Sequence, residues 1–399
     1  MSSTDALALD AAPTQRFGWL IAPLTAFLVT RGLIIAIVLL ADVILPGFNG
    51  IHVYGDGAVG SGFVNAWDRW DTPYYVDIAQ QGYGYVPGAP RNNVVFYPLY
   101  PLTIAALTPL TGNPLLAGLL ISNASFLAAL IVLYQLVMGK TGDEATARRA
   151  VFYIAAFPTA FFFFAAYTES LFLLLTVSAA YFALRQQWWA AGIAGALASA
   201  TRTTGVLLVV LVGFAWLEAQ GWTLSRIRER SAWEKLGQAV RTRWVTLIPI
   251  LLIALGLALY MLYLGQTFGD PLAAIHAETG WRQASSLQSF LNDVQLLLTG
   301  RLWPSYIMDM AVFFIGMALT IPIGRRFGAG YALYTAFALL IPAATGVMAM
   351  TRFATVLFPL FILLASWTRR DRIDRVVRVA FLTFLPIFAL AFVKNIFVG

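Results

Sequence analysis

Apolar runs long enough to cross a bilayer alternate with short charged breaks along most of the chain, and this pattern predicts an all-α polytopic membrane protein. The first run, residues 17–45, exceeds the ~20 residues that a spanning helix needs. Later runs cover 114–138, 150–165, 168–184, 244–264, 304–322, 327–348, 353–367 and 376–397. Residues 188–218 are also apolar, but TRTTG at 201–205 interrupts them. Three polar segments separate these runs: 46–113, 218–243 and 266–303. Within the first, 72–81 predict a short helix closed by Gly82, and the Pro-broken YPLYPLTIAALTPL after it lies along the membrane or re-enters it. In the second, Trp222, Leu224, Ile227, Trp233, Leu236 and Val240 interleave with charges, as in a helix resting on a leaflet. In the third, Asp270 and Pro271 make an N-cap and first-turn pair for a short helix stopped by Gly280. The spacing of Leu287, Phe290, Leu291, Val294, Leu297 and Leu298 then predicts an amphipathic helix over the same face.

Charge orients these elements. Lys140, Arg148, Arg149, Arg185, the basic 218–243 segment, Arg325, Arg326 and the RRDRIDRVVR run at 369–378 fall on one side if the positive-inside bias holds. A single helix over 188–218 would carry the basic segment to the wrong side. A hairpin turning at 201–205 restores the bias and leaves Arg202 at the external tip. The count is then about eleven crossings in one integral membrane domain, 1–399, with an internal amino terminus and an external carboxyl terminus. Composition agrees, with 60% hydrophobic residues, 11% charged and a mean hydropathy of +0.76. The net charge of +7 resides in the short loops, which favours anionic lipid over nucleic acid as its counterpart. Cysteine is absent and the histidines are His52 and His276, which excludes disulfides and thiolate sites and disfavours a histidine metal centre. The opening MSSTDALALDAAPTQ lacks the features of a cleaved signal peptide.

The chemistry gathers in the first polar segment, where Asp68, Asp71 and Asp77 stand among Trp67, Trp70, Tyr74, Tyr75, Tyr83 and Tyr85. The predicted topology brings Glu169, Arg202 and Arg352 to the same external side. Arg31 sits mid-run in the first span, where a charge costs on the order of 3 kcal/mol, and calls for a carboxylate, carbonyl or lipid phosphate beside it. No phosphate-binding GxxxxGK[ST] loop, dinucleotide fingerprint or Ser, His and Asp set is present. A bilayer-delivered substrate such as a polyprenyl-phosphate sugar fits a bowl of acids and bases at a membrane face. Asp68 and Asp71 offer oxygen ligands to a divalent metal, but carboxylates three residues apart are not a metal signature, and no cofactor is assigned. For most of the aromatics an interfacial anchor is the favoured role over sugar stacking, and Glu169 with Arg202 serves equally as a structural ion pair.

In order along the chain, RWDTPYYVDIAQQGY, FYPLYP, FPTAFFFFAAYTESLFLLLTVSA, AGIAGALASATRTTG, GDPLAAIHAETGW and TRFATVLFPLF resemble the successive blocks of the PIG-V family. This family comprises GPI mannosyltransferase 2-type enzymes and their bacterial relatives among the multispan GT-C glycosyltransferases. The resemblance implies a GT-C fold and an inverting transfer of mannose from a polyprenyl- or dolichyl-phosphate mannose donor to a lipid-linked or glycan acceptor on the external or lumenal face. It assigns the catalytic acid to Asp71, with Asp68 second and Asp77, where relatives vary, behind them. On this reading Arg202, seconded by Arg352 or Arg31, binds the donor phosphate. Glu169 holds Arg202 or contacts the sugar, and Trp70, Tyr74, Tyr75 and Tyr83 stack on sugar faces. The insert GYVPGAPRNN departs from the family's tighter spacing. The compact loops look bacterial, which implies the plasma membrane and disfavours a GPI acceptor; a eukaryotic member belongs in the endoplasmic reticulum. Eukaryotic members work beside a small accessory membrane subunit. A donor carrying arabinose or glucose, and a lipid-linked-sugar transporter, stay open as alternatives.

Overall fold

The computed structural model describes residues 18–45, 62–278, 280–281, 287–299, 304–396 and 398, and all regular structure among them is helical. His52 and the amino-terminal stretch lie outside the described residues. Helix α1 (Gly18–Leu39) precedes the short α2 (Thr72–Gln81), which has Pro73 in its first turn and stops where Gly82 adopts a φ of 84°. The Pro-broken stretch forms α3 (Leu99–Thr111), packed on the long α4 (Pro114–Thr141). Asn113 caps α4 by accepting from Leu116 N at 3.0 Å.

Residues 150–165 do not form one span. Helix α5 starts earlier and covers Glu144–Ala156, capped by Asp143, and Arg148 and Arg149 lie in it and not in a loop. It ends because Pro158 pushes Phe157 into an extended conformation, with ψ at 142°. A 3₁₀ turn at Ala160–Phe163 then leads into α6 (Glu169–Leu184).

The interruption in 188–218 is present as expected. Helix α7 (Trp188–Ser199) stops before Arg202, which opens a 3₁₀ turn at Thr203–Leu207, and α8 (Leu208–Ala219) follows. The arms run in opposite directions. Gly192 near the start of α7 meets Pro249, and Ala196 further along it meets Gly256, so α7 runs parallel to α10 (Ile248–Leu252) and α11 (Leu255–Phe268), which the basic helix α9 (Arg230–Arg243) precedes. Helix α8 instead returns its carboxyl end to the start of that pair, where Trp216 Nε1 donates to Thr246 Oγ1 at 2.7 Å. A β-carbon at Gly256 would lie 2.1 Å from Ala196 O, so backbone meets backbone there, the close approach that small residues allow between membrane helices.

The predicted short and amphipathic helices are α12 (Ala273–Glu278) and α13 (Leu287–Leu298); Asp270 Oδ1 accepts from Leu272 N at 2.9 Å ahead of the former. The chain continues through α14 (Pro304–Phe327), α15 (Ala329–Ala343), the short α16 (Met350–Thr355), α17 (Phe358–Trp367) and α18 (Asp371–Val393). Residues 353–367 therefore divide between α16 and α17, and the basic run 369–378 enters the first turns of α18. Among the described residues, four helices are long and apolar enough to cross a membrane, and a fifth span arises if Arg230–Leu252 and Leu255–Phe268 count as one helix bent by 50°. Shorter apolar helices complete the bundle, so eleven full-length crossings are not established by helix length. Two ends can be distinguished: a site end where Gly118 meets Tyr100 and Ala166, and a basic end where Gly139 meets Leu184.

Candidate active site

The loop that carries the first acids is pinned by aromatic packing. Trp67 is fully buried and stacks on Phe164 with ring centroids 4.5 Å apart. Three residues on, Trp70 adopts a left-handed φ of 57°, a conformation seldom taken by a bulky residue, and the chain turns there into α2. Asp71 follows at the N-cap position. Its amide donates to the Tyr167 hydroxyl at 3.0 Å, while its carboxylate leaves its own helix uncapped and reaches across the bundle.

Arg352 Nη1 donates to Asp71 Oδ2 at 2.6 Å, and Arg352 Nε to Glu169 Oε1 at 2.5 Å. Arg202 Nη1 reaches the same Glu169 oxygen at 2.8 Å. The result is a continuous chain, Asp71–Arg352–Glu169–Arg202, drawn from four separate elements. Glu169 is fully buried at the first residue of α6, where the unpaired amides of a helix amino terminus favour a carboxylate. The Arg352 guanidinium lies 4.6 Å from the centroid of Tyr167, and Arg202 sits between Phe172 and Phe353. Two acids balance two bases, so the group can stay ionised out of water.

Asp309, on α14, was missed by sequence reading. It is fully buried and accepts from Ala349 N at 2.9 Å, Thr351 N at 2.7 Å and Thr351 Oγ1 at 2.6 Å. Asp293 accepts from Val347 N at 3.0 Å. Ala349 is left-handed, with φ at 65°, so this acid clamps a strained turn immediately before Arg352. A carboxylate inside an apolar run was the available signal.

The other candidates divide. Asp68 is partly buried, and burial pushes its carboxyl above the usual range, opposed by Arg69. Among the described residues its carboxylate makes no hydrogen bond or ion pair, whereas Arg69 donates to the Asp68 backbone oxygen at 2.9 Å and to Val393 O at 3.2 Å. Asp77 lies on α2 outside the ion-pair chain. Tyr75 is buried against Tyr100 and Phe96, and Tyr74 stacks on Phe96 and meets Trp281 edge-on. Tyr83 donates to Phe96 O at 2.7 Å, and Tyr85 to Asp270 Oδ2 at 3.1 Å. The insert docks firmly: Asn92 exchanges hydrogen bonds with Val86, Tyr260 donates to Val94 O at 2.7 Å and Trp281 to Asn92 O at 3.0 Å. Arg31 lacks the carboxylate or carbonyl expected beside it. Its buried guanidinium lies 4.3 Å from the Phe126 centroid, near Phe27 and Phe164, with no hydrogen-bond partner among the described residues. Among the described residues, no three His, Asp or Glu side chains cluster as metal ligands.

A sequence model of the family described as Mannosyltransferase (PIG-V) matches residues 55–298. Asp71, Glu169 and Arg202 fall within this match, and Arg352 and Asp309 beyond it. Among solved structures, ArnT from Cupriavidus metallidurans bound to undecaprenyl phosphate is similar, with a TM-score of 0.53 and 14% identity over 92% of this chain and 63% of that one. The oligosaccharyltransferase AglB from Archaeoglobus fulgidus, in complex with an inhibitory peptide and a dolichol-phosphate, gives 0.46 and 12% over 97% and 57%. The Archaeoglobus fulgidus oligosaccharyltransferase with zinc and sulfate gives 0.44 and 15% over 92% and 53%. The chain thus spans less than two thirds of the length of each of these structures. No curated protein matches it.

Proposed function

The chain belongs to the PIG-V mannosyltransferase family, and from that premise together with the Asp71–Arg352–Glu169–Arg202 chain we propose an inverting transfer of mannose from a polyprenyl-phosphate donor. The observation that carries the reading is the state of Asp71. One oxygen is fixed by Arg352, which orients the carboxylate and leaves Oδ1 to take the proton of an acceptor hydroxyl. The acceptor oxygen attacks the anomeric carbon as the bond from that carbon to the lipid phosphate breaks, its electrons passing to the phosphate oxygen. No acid is needed for so stable a leaving group.

The two arginines divide the work. Arg352 spends Nε and Nη1 on carboxylates and acts as a positioning residue for Asp71. Arg202 spends Nη1 on Glu169, so its remaining nitrogens meet the departing phosphate through the planar fork that suits phosphate oxygens. The undecaprenyl phosphate bound to ArnT supports a lipid phosphate as the donor's carrier. The acceptor is a lipid-linked or glycan hydroxyl presented at the site end, which we infer to be the external or lumenal face. An accessory membrane subunit is compatible with this arrangement.

The test is incubation of the purified protein in lipid with labelled polyprenyl-phosphate mannose and a membrane lipid extract. Label passes to a new glycolipid or glycan, and Asp71→Asn slows this by about 10²–10⁴-fold while keeping donor binding. Arg202→Gln weakens donor binding more than acceptor binding. Label that stays on mannose, glucose and arabinose donors alike overturns the transferase reading.

A further inference from the structure

The basic end of the bundle holds a cavity of about 170 Å³ between α4, α6, α8 and α15, far from the Asp71 chain. Its floor is apolar, with Leu184 and Leu211 among small alanines, but two opposite charges face into it: Lys140 from the last turn of α4 and Glu218 from the last turn of α8. Among the described residues neither side chain makes a hydrogen bond or an ion pair, although each lies within electrostatic reach of the other. Lys140 Nζ stands 5.1 Å from the centroid of Tyr331, and Glu218 packs over Gly328, where a β-carbon would come within 2.5 Å of Oε1. Gly328, whose φ of 105° already favours glycine, thus lets the carboxylate lie against the backbone at the start of α15.

Among the described residues Lys140 and Glu218 line the same cavity without forming a direct ion pair, and a partly desolvated charge left without a close partner is costly. A ligand that satisfies both must carry an anion and a hydrogen-bonding cation within the span of this one cavity. The depth identifies its source. The same end carries the basic helix α9, whose Arg243 donates to Gln220 two residues beyond Glu218, and exposed Trp233 and Trp244 mark an interfacial level. We propose that this cavity is a site for the headgroup of a zwitterionic aminophospholipid, with the lipid phosphate on Lys140 and the primary ammonium on Glu218. Anionic glycerol headgroups lack a cation for Glu218, and a choline nitrogen has no proton to donate to it.

The test uses the full chain, reconstituted with equal amounts of phosphatidylethanolamine, phosphatidylcholine and phosphatidylglycerol and analysed by native mass spectrometry for retained lipid. The wild type is expected to retain the ethanolamine lipid about tenfold over the other two, the scale of one charge-assisted hydrogen bond. Glu218→Gln brings ethanolamine and choline lipids within about twofold of each other, and Lys140→Met lowers retention of both. Adding free phosphoethanolamine to the loaded protein leaves the lipid in place. Equal retention of the glycerol lipid by the wild type, a measurement that needs no variant to fold, overturns the proposal. So does an unchanged preference in Glu218→Gln, or displacement of the lipid by the free zwitterion at equal concentration.

Discussion

Asp68 and Asp71 are three residues apart yet end in different electrostatic settings. Asp71 meets a guanidinium, whereas Asp68 is partly buried without a partner and its carboxyl is raised by desolvation, with Arg69 opposing. A raised folded-state value means that the folded protein keeps a proton which the unfolded chain releases. Stability from this group therefore declines as pH rises from the ordinary carboxylate range, about 4, through the folded value. Asp68→Asn removes the decline, so its melting temperature is expected to gain on the wild type as pH rises above about 4. A difference that does not vary with pH would count against an unpaired, desolvated acid. In the sequence the acids of this loop look alike; only burial and the arrival of Arg352 separate them. Arg31 teaches the same lesson, since an arginine in a span announces a need for compensation but not that aromatic faces supply it.

Elements fared better than contacts. Helix α2 was legible from its stop at Gly82, the reversal between α7 and α8 from TRTTG and the charge bias, and α12 from Asp270 and Pro271. The end of α5 is legible too, since Pro158 stands inside the 150–165 run. What could not be read is how α16 is held, because its clamp is Asp309 on α14, some forty residues upstream, bonded to backbone amides that carry no sequence signature. Asp309→Asn offers one acceptor oxygen and turns an NH₂ toward donors. It is expected to cost about 1–3 kcal/mol in thermal unfolding and to lower turnover through misplacement of Arg352. Turnover at the wild-type level with the stability loss present would separate the clamp from the active geometry.

At the scale of the whole molecule the decisive quantity is sidedness. The site end gathers the acids and the docked insert, and the basic end gathers Lys140, α9 and the start of α18. Because the chain has no cysteine, single substitutions report accessibility cleanly. Val86→Cys, exposed on the insert, and Ser225→Cys, exposed beside α9, are expected to react with a membrane-impermeant maleimide from opposite sides of sealed vesicles. Labelling of both from one side would invert or dismantle the topology.

The bond between Arg352 and Asp71 joins positions 281 residues apart, which makes it an event in time as well as in space. At about 5–20 residues per second, a ribosome that has delivered Asp71 needs about 15–55 s to deliver its guanidinium. Arg202 arrives about midway through that interval, so from then until Arg352 follows, Glu169 has a partner while Asp71 has none, and the nascent chain carries a half-neutralised acidic centre. A chain stalled before Arg352 would thus present a charge defect by which a membrane protease could distinguish an unfinished protein from a finished one.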